Sequence, residues 1–249
     1  TGQPVALQDR CIHRNSRLSA GKLCKGNIQC PYHGWQYDAK GNVVLVPAEG
    51  PENHQCPKVS RKAISYETKE QDGYVYVRLS KSEATSEIQA EPSAADNHEP
   101  FKMPYYRADG WETVRVINRF QNTVTNCAEN FIDIPHTVSV HPGIFRQAEQ
   151  QALQMSVHRQ QGIVTATYHK ETTNLGWFGK FLNPTGAEIQ HIDQFFMPNI
   201  TRVEYQMGAH RRCFITSQSV PETENSTLVY TDVTFNYVWR NKIERPFVS

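Results

Sequence analysis

Four side chains able to hold a metal stand in two short runs near the start of the chain. Cys11 and His13 lie in DRCIHRN, and Cys30 and His33 in CPYHGWQYD. Sixteen residues separate His13 from Cys30. A surface turn needs none of this chemistry, and a core strand has no use for the imidazole. Two thiolates and two imidazoles suit either a tetrahedral zinc or a two-iron cluster. Structural zinc sites usually place two cysteines on one knuckle, so each loop holds like ligands. Here each loop carries one cysteine and one histidine, as a cluster with two sulfur and two nitrogen ligands requires.

A second set sits in NCAENFIDIPHTVSVHPG: Asp133, His136 and His141. Asp133 and His136 are spaced to share one face of a helix. His136 and His141 are not, because residues five apart diverge by about 140° on a straight helix. Both imidazoles reach one ion only if the helix is distorted or ends between them. Pro135 and the pair Pro142-Gly143 provide for that. Alone the spacing is weak, since the chain has ten histidines. A histidine in a helix-terminal turn bonded to backbone would look the same.

The elements that must hold these residues fall into two groups. Up to residue 80 the chain alternates short strand patterns (PVALQD, NIQC, NVVLV, YVYVRL) with turn signals such as DAKGN and EQDGY, which predicts a small β-sandwich or barrel. Residues 81–104 are rich in Ser, Ala, Glu and Pro and read as a linker. From 105 to 249 a helix near 121–134 is followed by LQMSVHR, GIVTATYH, IQHIDQFF, TRVEYQM, CFITSQSV and TLVYTDVTFNYVW. Successive antiparallel-looking strands with few helices predict an α+β domain on one broad curved sheet.

Composition limits the partners. The chain has 249 residues, 38 % hydrophobic and 20 % charged, with Lys+Arg 26 against Asp+Glu 25. A net charge of +1 gives no broad field for nucleic acid or an anionic membrane. No run is apolar enough to predict a membrane span, and no leader pattern is visible. Six cysteines in a chain of this length fit a reduced, cytoplasmic compartment better than a disulfide framework. Both ends look cut, which predicts a segment of a longer protein.

Together, C-x-H-x16-C-P-Y-H-G-W-x-Y-D resembles the Rieske domain of ring-hydroxylating and related oxygenases, with Pro31, Gly34, Trp35, Tyr37 and Asp38 among the matching flanks. Asn130, Asp133, His136 and His141 are similar to the N/D-x2-D-x2-H-x4-H motif of the catalytic domains of that family. The resemblance implies a Rieske [2Fe–2S] cluster on Cys11, His13, Cys30 and His33, and a mononuclear Fe(II) on His136 and His141. It further implies that Asp133 links to a Rieske histidine of a neighbouring subunit, in a homotrimer whose catalytic domain has a helix-grip-like fold. The third, carboxylate iron ligand of the family lies more than a hundred residues after the second histidine. Only 108 residues follow His141. Neither Asp232, in a strand pattern, nor Glu244, near the end, has the right context, so that ligand is expected beyond Ser249.

The function so implied is that of a terminal oxygenase component. It takes electrons from NAD(P)H through a ferredoxin or flavin reductase, and uses O2 to hydroxylate or oxidatively demethylate a small to medium organic substrate. The alternative is a Rieske electron carrier with an appended ligand-binding domain. Aromatic acids, steroids, chlorophyll breakdown products and alkaloid-like molecules all remain open as substrates. The segment NLGWFGKFLNPTG at 174–186 suits either a flap over the substrate or an aromatic hairpin packed on the core. His54, His98, His158, His169, His191 and His210 lack ligand spacing and read as surface or strand residues. Cys24, Cys56, Cys127 and Cys213 read as ordinary thiols.

High-potential members of the wider Rieske group carry a disulfide between the loops and a serine after His-Gly. Ser16 and Tyr32 occupy the cysteine positions here, and Trp35 replaces the serine. Fewer hydrogen bonds to the sulfurs stabilise the reduced cluster less. A redox titration should therefore find a midpoint toward the low end of the roughly −150 to +300 mV Rieske range. A strongly positive midpoint would contradict this.

Overall fold

The structure, a computed structural model, describes residues 2–50, 61–79, 99–142, 154–169, 183 and 186–237. Most of the expected linker, most of the aromatic segment at 174–186, and His54, Cys56, His98 and Glu244 lie outside the described residues. The chain divides into two compact units, Thr1–Gln89 and Ala90–Ser249.

In the first unit a three-stranded sheet has the order β1 (Ala6–Leu7), β6 (Ser65–Gln71), β7 (Tyr74–Arg78). A four-stranded sheet runs β2 (Lys22–Cys24), β3 (Asn27–Gln29), β4 (Gln36–Tyr37), β5 (Val43–Leu45). All pairs are antiparallel. The turns are set locally. Asp72-Gly73 joins β6 to β7 and Lys25-Gly26 joins β2 to β3, all four residues at positive φ, as two-residue hairpins matched to strand twist require. In the DAKGN turn, Asp38 accepts from the backbone N–H of Lys40 and of Asn42, each at 2.8 Å.

That turn also ties the two sheets together. Gly41 lies at φ 83°, and its carbonyl accepts from Ala63 N at 2.8 Å. A Cβ on Gly41 would stand 2.3 Å from the Ala63 carbonyl oxygen, so no other residue fits without a backbone shift. The core between the sheets consists of Cys11, Leu18, Cys30, Tyr37 and Ala63, with Leu7, Ile28, Trp35 and Val43 packed around it. Strand β6, SYETKEQ, has little apolar content, and its sequence gave no strand signal. It forms by pairing on both sides, with β1 and β7.

The second unit is built on a seven-stranded antiparallel sheet, curved as expected. Its order is β8 (Glu112–Phe120), β14 (Ser226–Phe235), β13 (Arg211–Thr223), β12 (Ile200–Met207), β11 (Ile189–Phe196), β10 (Ile163–His169), β9 (Gln154–Gln160). The first strand thus closes onto the last, and the rest form a meander. Helix α1 (Val124–Ile132) begins at Thr123, whose hydroxyl accepts from Asn126 N at 3.2 Å. Both faces of the central strands are covered. Phe131 of α1 packs edge-on against Phe120 on one face. On the other, Phe101 packs on Phe196, and the stacked Tyr105 and Trp111 pack on Phe214. This explains why β13 runs through consecutive buried residues, Ser217, Gln218 and Ser219 among them, instead of alternating.

On the face away from α1, Asp232 is fully buried, and Arg115 meets both of its oxygens at 2.7 and 2.9 Å. Removing one partner of such a pair leaves a buried charge unmatched, which costs about 3–5 kcal/mol. Denaturant unfolding of Arg115→Met should show a loss of about that size. The double variant Arg115→Met/Asp232→Leu should lose clearly less, because no charge is then stranded.

Candidate metal centre

The two loops of the first unit are built alike. Cys11 N donates to Ser16 O and Asn15 N to Cys11 O, both at 2.8 Å. Cys30 N donates to Trp35 O at 2.8 Å and Gly34 N to Cys30 O at 3.2 Å. Each cysteine is therefore bonded to the residues four and five places on. In each loop the fourth residue has positive φ: Asn15 at 57° and Gly34 at 72°. Asparagine is among the few non-glycine residues that adopt this region readily. A Cβ on Gly34 would also press on Pro47 at 3.1 Å. Sequence reading singled out the two cysteine–histidine pairs but not this internal equivalence, because Asn15 and Gly34 are not identical letters.

The loops sort the donors. Cys11 and Cys30 are 2 % and 1 % exposed, whereas His13 and His33 are exposed and their rings lie 4.5 Å apart, edge to face. The four side chains form a sulfur pair in the core and a nitrogen pair at the rim. That arrangement fits a two-iron cluster with one pair on each metal, and so favours it over the zinc alternative.

Tyr37 is wholly buried, and its hydroxyl lies 3.0 Å from Cys11 Sγ and accepts from Ile12 N at 3.2 Å. Burial, reinforced by the Cys11 sulfur, pushes the phenol's pKa far up, so it remains a protonated donor. Burial alone would raise the Cys11 thiol. The bond from Tyr37, the backbone N–H groups of His13 and Arg14, and the Cys30 thiol outweigh it, and the net shift is downward, toward thiolate. Desolvation, then the nearby His33 and Arg14, lowers the pKa of His13 and favours the neutral imidazole a metal takes. Trp35 stacks flat on His13, with ring centroids 4.8 Å apart and 3° between planes, and the Arg61 guanidinium lies over the indole at 5.4 Å.

In the second unit α1 ends at Ile132 and a short helix α2 (His136–Val140) follows. Asp133 and His136 therefore do not share one helix: Asp133 caps α1, and Pro135 precedes the first residue of α2. The chain turns because Pro135 offers no N–H to continue α1. Buried Ile134 anchors the link, and Thr137 Oγ1 donates back to its carbonyl at 2.7 Å. His141 caps α2 with non-helical backbone, so the helix ends between the two histidines, which brings their rings to 5.7 Å. His136 Nδ1 is bonded to the Asp133 carbonyl, which commits its Nε2 to any metal. The carboxylate of Asp133 is 3.8 Å away and 53 % exposed, so the backbone of Asp133, not a buried side chain, orients the ring.

The two imidazoles fit a shared iron. Among the described residues no group of three or more His, Cys, Asp or Glu side chains is gathered to hold one ion. Asp232, weighed as a carboxylate ligand, has both oxygens engaged by Arg115.

Two functional features escaped sequence reading. Tyr37 was read as a flanking match and not as a donor to sulfur, although a buried tyrosine hydroxyl needs a partner. His191, read as a surface or strand residue, does lie in strand β11, but its burial to 1 % exposure and its bond to Asp193 at 2.8 Å were not read. A hydrogen bond to sulfur stabilises the reduced, more negative cluster. Tyr37→Phe should therefore lower the midpoint potential by about 50 mV, the equivalent of one net hydrogen bond for a one-electron couple, measured by redox titration.

Residues 1–66 match the Rieske [2Fe-2S] domain family. The chain is 34 % identical over 147 residues to methylxanthine N1-demethylase NdmA of Pseudomonas putida, a match covering 56 % of this chain and 36 % of that protein. It is 31 % identical over 145 residues to aminopyrrolnitrin oxygenase PrnD of Pseudomonas fluorescens, covering 57 % and 37 %. The matches thus span little more than a third of those relatives' lengths. Among solved structures, NdmA of P. putida CBB5 with caffeine superposes with a TM-score of 0.68 at 24 % identity, covering 97 % of this chain and 65 % of that one. Dicamba monooxygenase bound to dicamba gives 0.69 at 21 %, covering 94 % and 67 %. These likenesses speak to fold, and they extend across both units. With the sulfur and nitrogen pairs of the first unit, they identify residues 1–66 as a Rieske [2Fe-2S] domain, within a chain whose fold is the one these solved structures share.

Proposed function

We propose that this chain is the Rieske and sheet-bearing portion of a terminal oxygenase that hydroxylates or oxidatively demethylates a small to medium organic substrate. One observation carries the reading: a cysteine–histidine pair on each of two equivalently bonded loops, in the same chain as two imidazoles brought together at the end of α2. The relatives named as demethylase and oxygenase support it. When bound, the two iron groups supply one-electron storage and activation of O2.

The chain's own residues do the rest. Cys11 and Cys30 hold the cluster in the core, while the exposed His13 and His33, the latter packed by Tyr32 at 3.9 Å, offer a short entry for electrons from a ferredoxin or flavin reductase fed by NAD(P)H. The Asp133 carbonyl fixes the tautomer of His136, and His141 provides the second nitrogen. The half-exposed carboxylate of Asp133 is free to reach a Rieske histidine of a neighbouring subunit, as a homotrimer would require.

Metal analysis of the full-length protein tests this. About three irons per chain are expected, against two for a pure electron carrier. His136→Ala/His141→Ala should fall to two while keeping the cluster's electron paramagnetic signal. A wild-type protein that never exceeds two irons would sink the oxygenase reading.

A further inference from the structure

The strand register of the second unit defines a grid on the sheet face that α1 covers. Residues directly opposite one another point the same way. Across β10, β11 and β12 the rows are Val164–Phe195–Thr201, Ala166–Asp193–Val203 and Tyr168–His191–Tyr205. The faces are identified by their partners. Phe196 and Phe214 carry residues 101–111, so the alternate residues Asp193, Val203 and Ile215 lie on the opposite face. Phe120, which meets Phe131 of α1, is opposite Thr227, two and four residues along from Val229 and Thr231 on that same face.

Asp193 is at the centre of the grid and is its one acid. It is 3 % exposed. Its Oδ1 is 2.8 Å from His191 Nε2, and that imidazole is held between the Tyr168 and Tyr205 rings, 4.6 and 4.4 Å away. Its Oδ2 is buried with no hydrogen-bond partner among the described residues. A buried acceptor left unmatched is costly, and more so when charged. One neighbour, Ala166, is small, while the others across the row and above it are Val203, Phe195 and Val164. The rim around this acid, Val164, Ala166, Phe195 and Val203, is only partly buried.

We infer that Asp193 is the specificity-determining acceptor of the substrate site. A flat ring seats on the apolar grid in the space above Ala166 and donates an N–H or O–H to Asp193 Oδ2, while His191 holds Oδ1. The class admitted is a neutral or cationic ring carrying a hydrogen-bond donor, and carboxylate anions are disfavoured. This rests on the proposed oxygenase function, places its substrate on the α1-covered face, and names that substrate's chemistry.

The test is equilibrium dialysis of the full-length, metal-loaded protein under nitrogen with three probes: indole, 1-methylindole and benzoate. Indole and 1-methylindole differ at the ring nitrogen, where one has the donor and the other a methyl group. Wild type should bind indole about tenfold or more tighter than 1-methylindole, the value of one hydrogen bond to a charged acceptor, and benzoate most weakly. Asp193→Asn keeps the contact with His191 but puts an amide donor where Oδ2 stood. The indole preference should then fall below about threefold, and benzoate should gain about fivefold or more as the charge is lost.

Equal affinity for the two indoles, no binding of either, or a preference that survives Asp193→Asn overturns the assignment. Should Asp193→Asn not fold, Ala166→Ile decides. It should weaken both indoles about tenfold with an unchanged melting temperature, and unchanged binding overturns the proposal. Iron content of the same preparations separates the two readings: donor preference in a protein holding only two irons would remove the oxygenase activity and leave this site.

Discussion

A sulfur that is to carry negative charge in a protein interior has to be met there by donors. Cys11 illustrates the constraint. Burial works against its thiolate, and the net outcome is reversed only by Tyr37, the N–H groups of His13 and Arg14, and Cys30. Those donors exist because the loop folds back on itself through Asn15 and Ser16, and because β4 delivers Tyr37 into the core from the second loop's own strand. The backbone bonds of one loop and the side chain following the other thus act on the same sulfur. Much else in the first unit serves that meeting: the Asp38 turn that follows Tyr37, and the approach of Gly41 to Ala63 that joins the two sheets beneath it.

The same logic of prepared partners extends to the rim. His13 and His33 remain exposed, yet His13 is not loose, because Trp35 lies flat on it and Arg61 lies over the indole. An imidazole fixed by stacking retains an open edge, which suits a ligand that must also exchange electrons with a partner. In the second unit His136 is fixed differently, by a bond from Nδ1 to the Asp133 carbonyl, a bond that exists only because Pro135 breaks the chain between α1 and α2. One histidine is held by packing and the other by tautomer. In His136 the bond at Nδ1 leaves Nε2 open.

How much of this was legible follows from range. The cysteine–histidine pairs and their loops are local, so C-x-H and C-x-x-H, the Asp72-Gly73 hairpin turn and the strand IQHIDQFF could be read from the letters, the last as β11 to the residue. Strand β6 could not, because SYETKEQ is shaped by pairing with β1 and β7 and not by its own composition. Asp133 and His136 were expected on one helix because spacing alone cannot weigh a proline against a continuing helix. The burial of His191 in its strand went unread for a related reason. Period-2 alternation tells which residues share a face, but not that both faces of this sheet are covered.

The two buried aspartates of the sheet show what separates an acid that holds a fold from one that awaits a ligand. Asp232 and Asp193 are equally hidden, on opposite faces, and each sits in a strand pattern that gave no functional signal. Both oxygens of Asp232 face the fixed fork of Arg115, so the charge is matched within the fold and nothing further is called for. Among the described residues Asp193 has a partner on one oxygen only. A buried acceptor without a donor costs free energy that a matched one does not. An acid half-matched among the described residues, on the face shared with α1, beside a small alanine and among aromatic rings, is suited to a bound molecule that supplies the second donor.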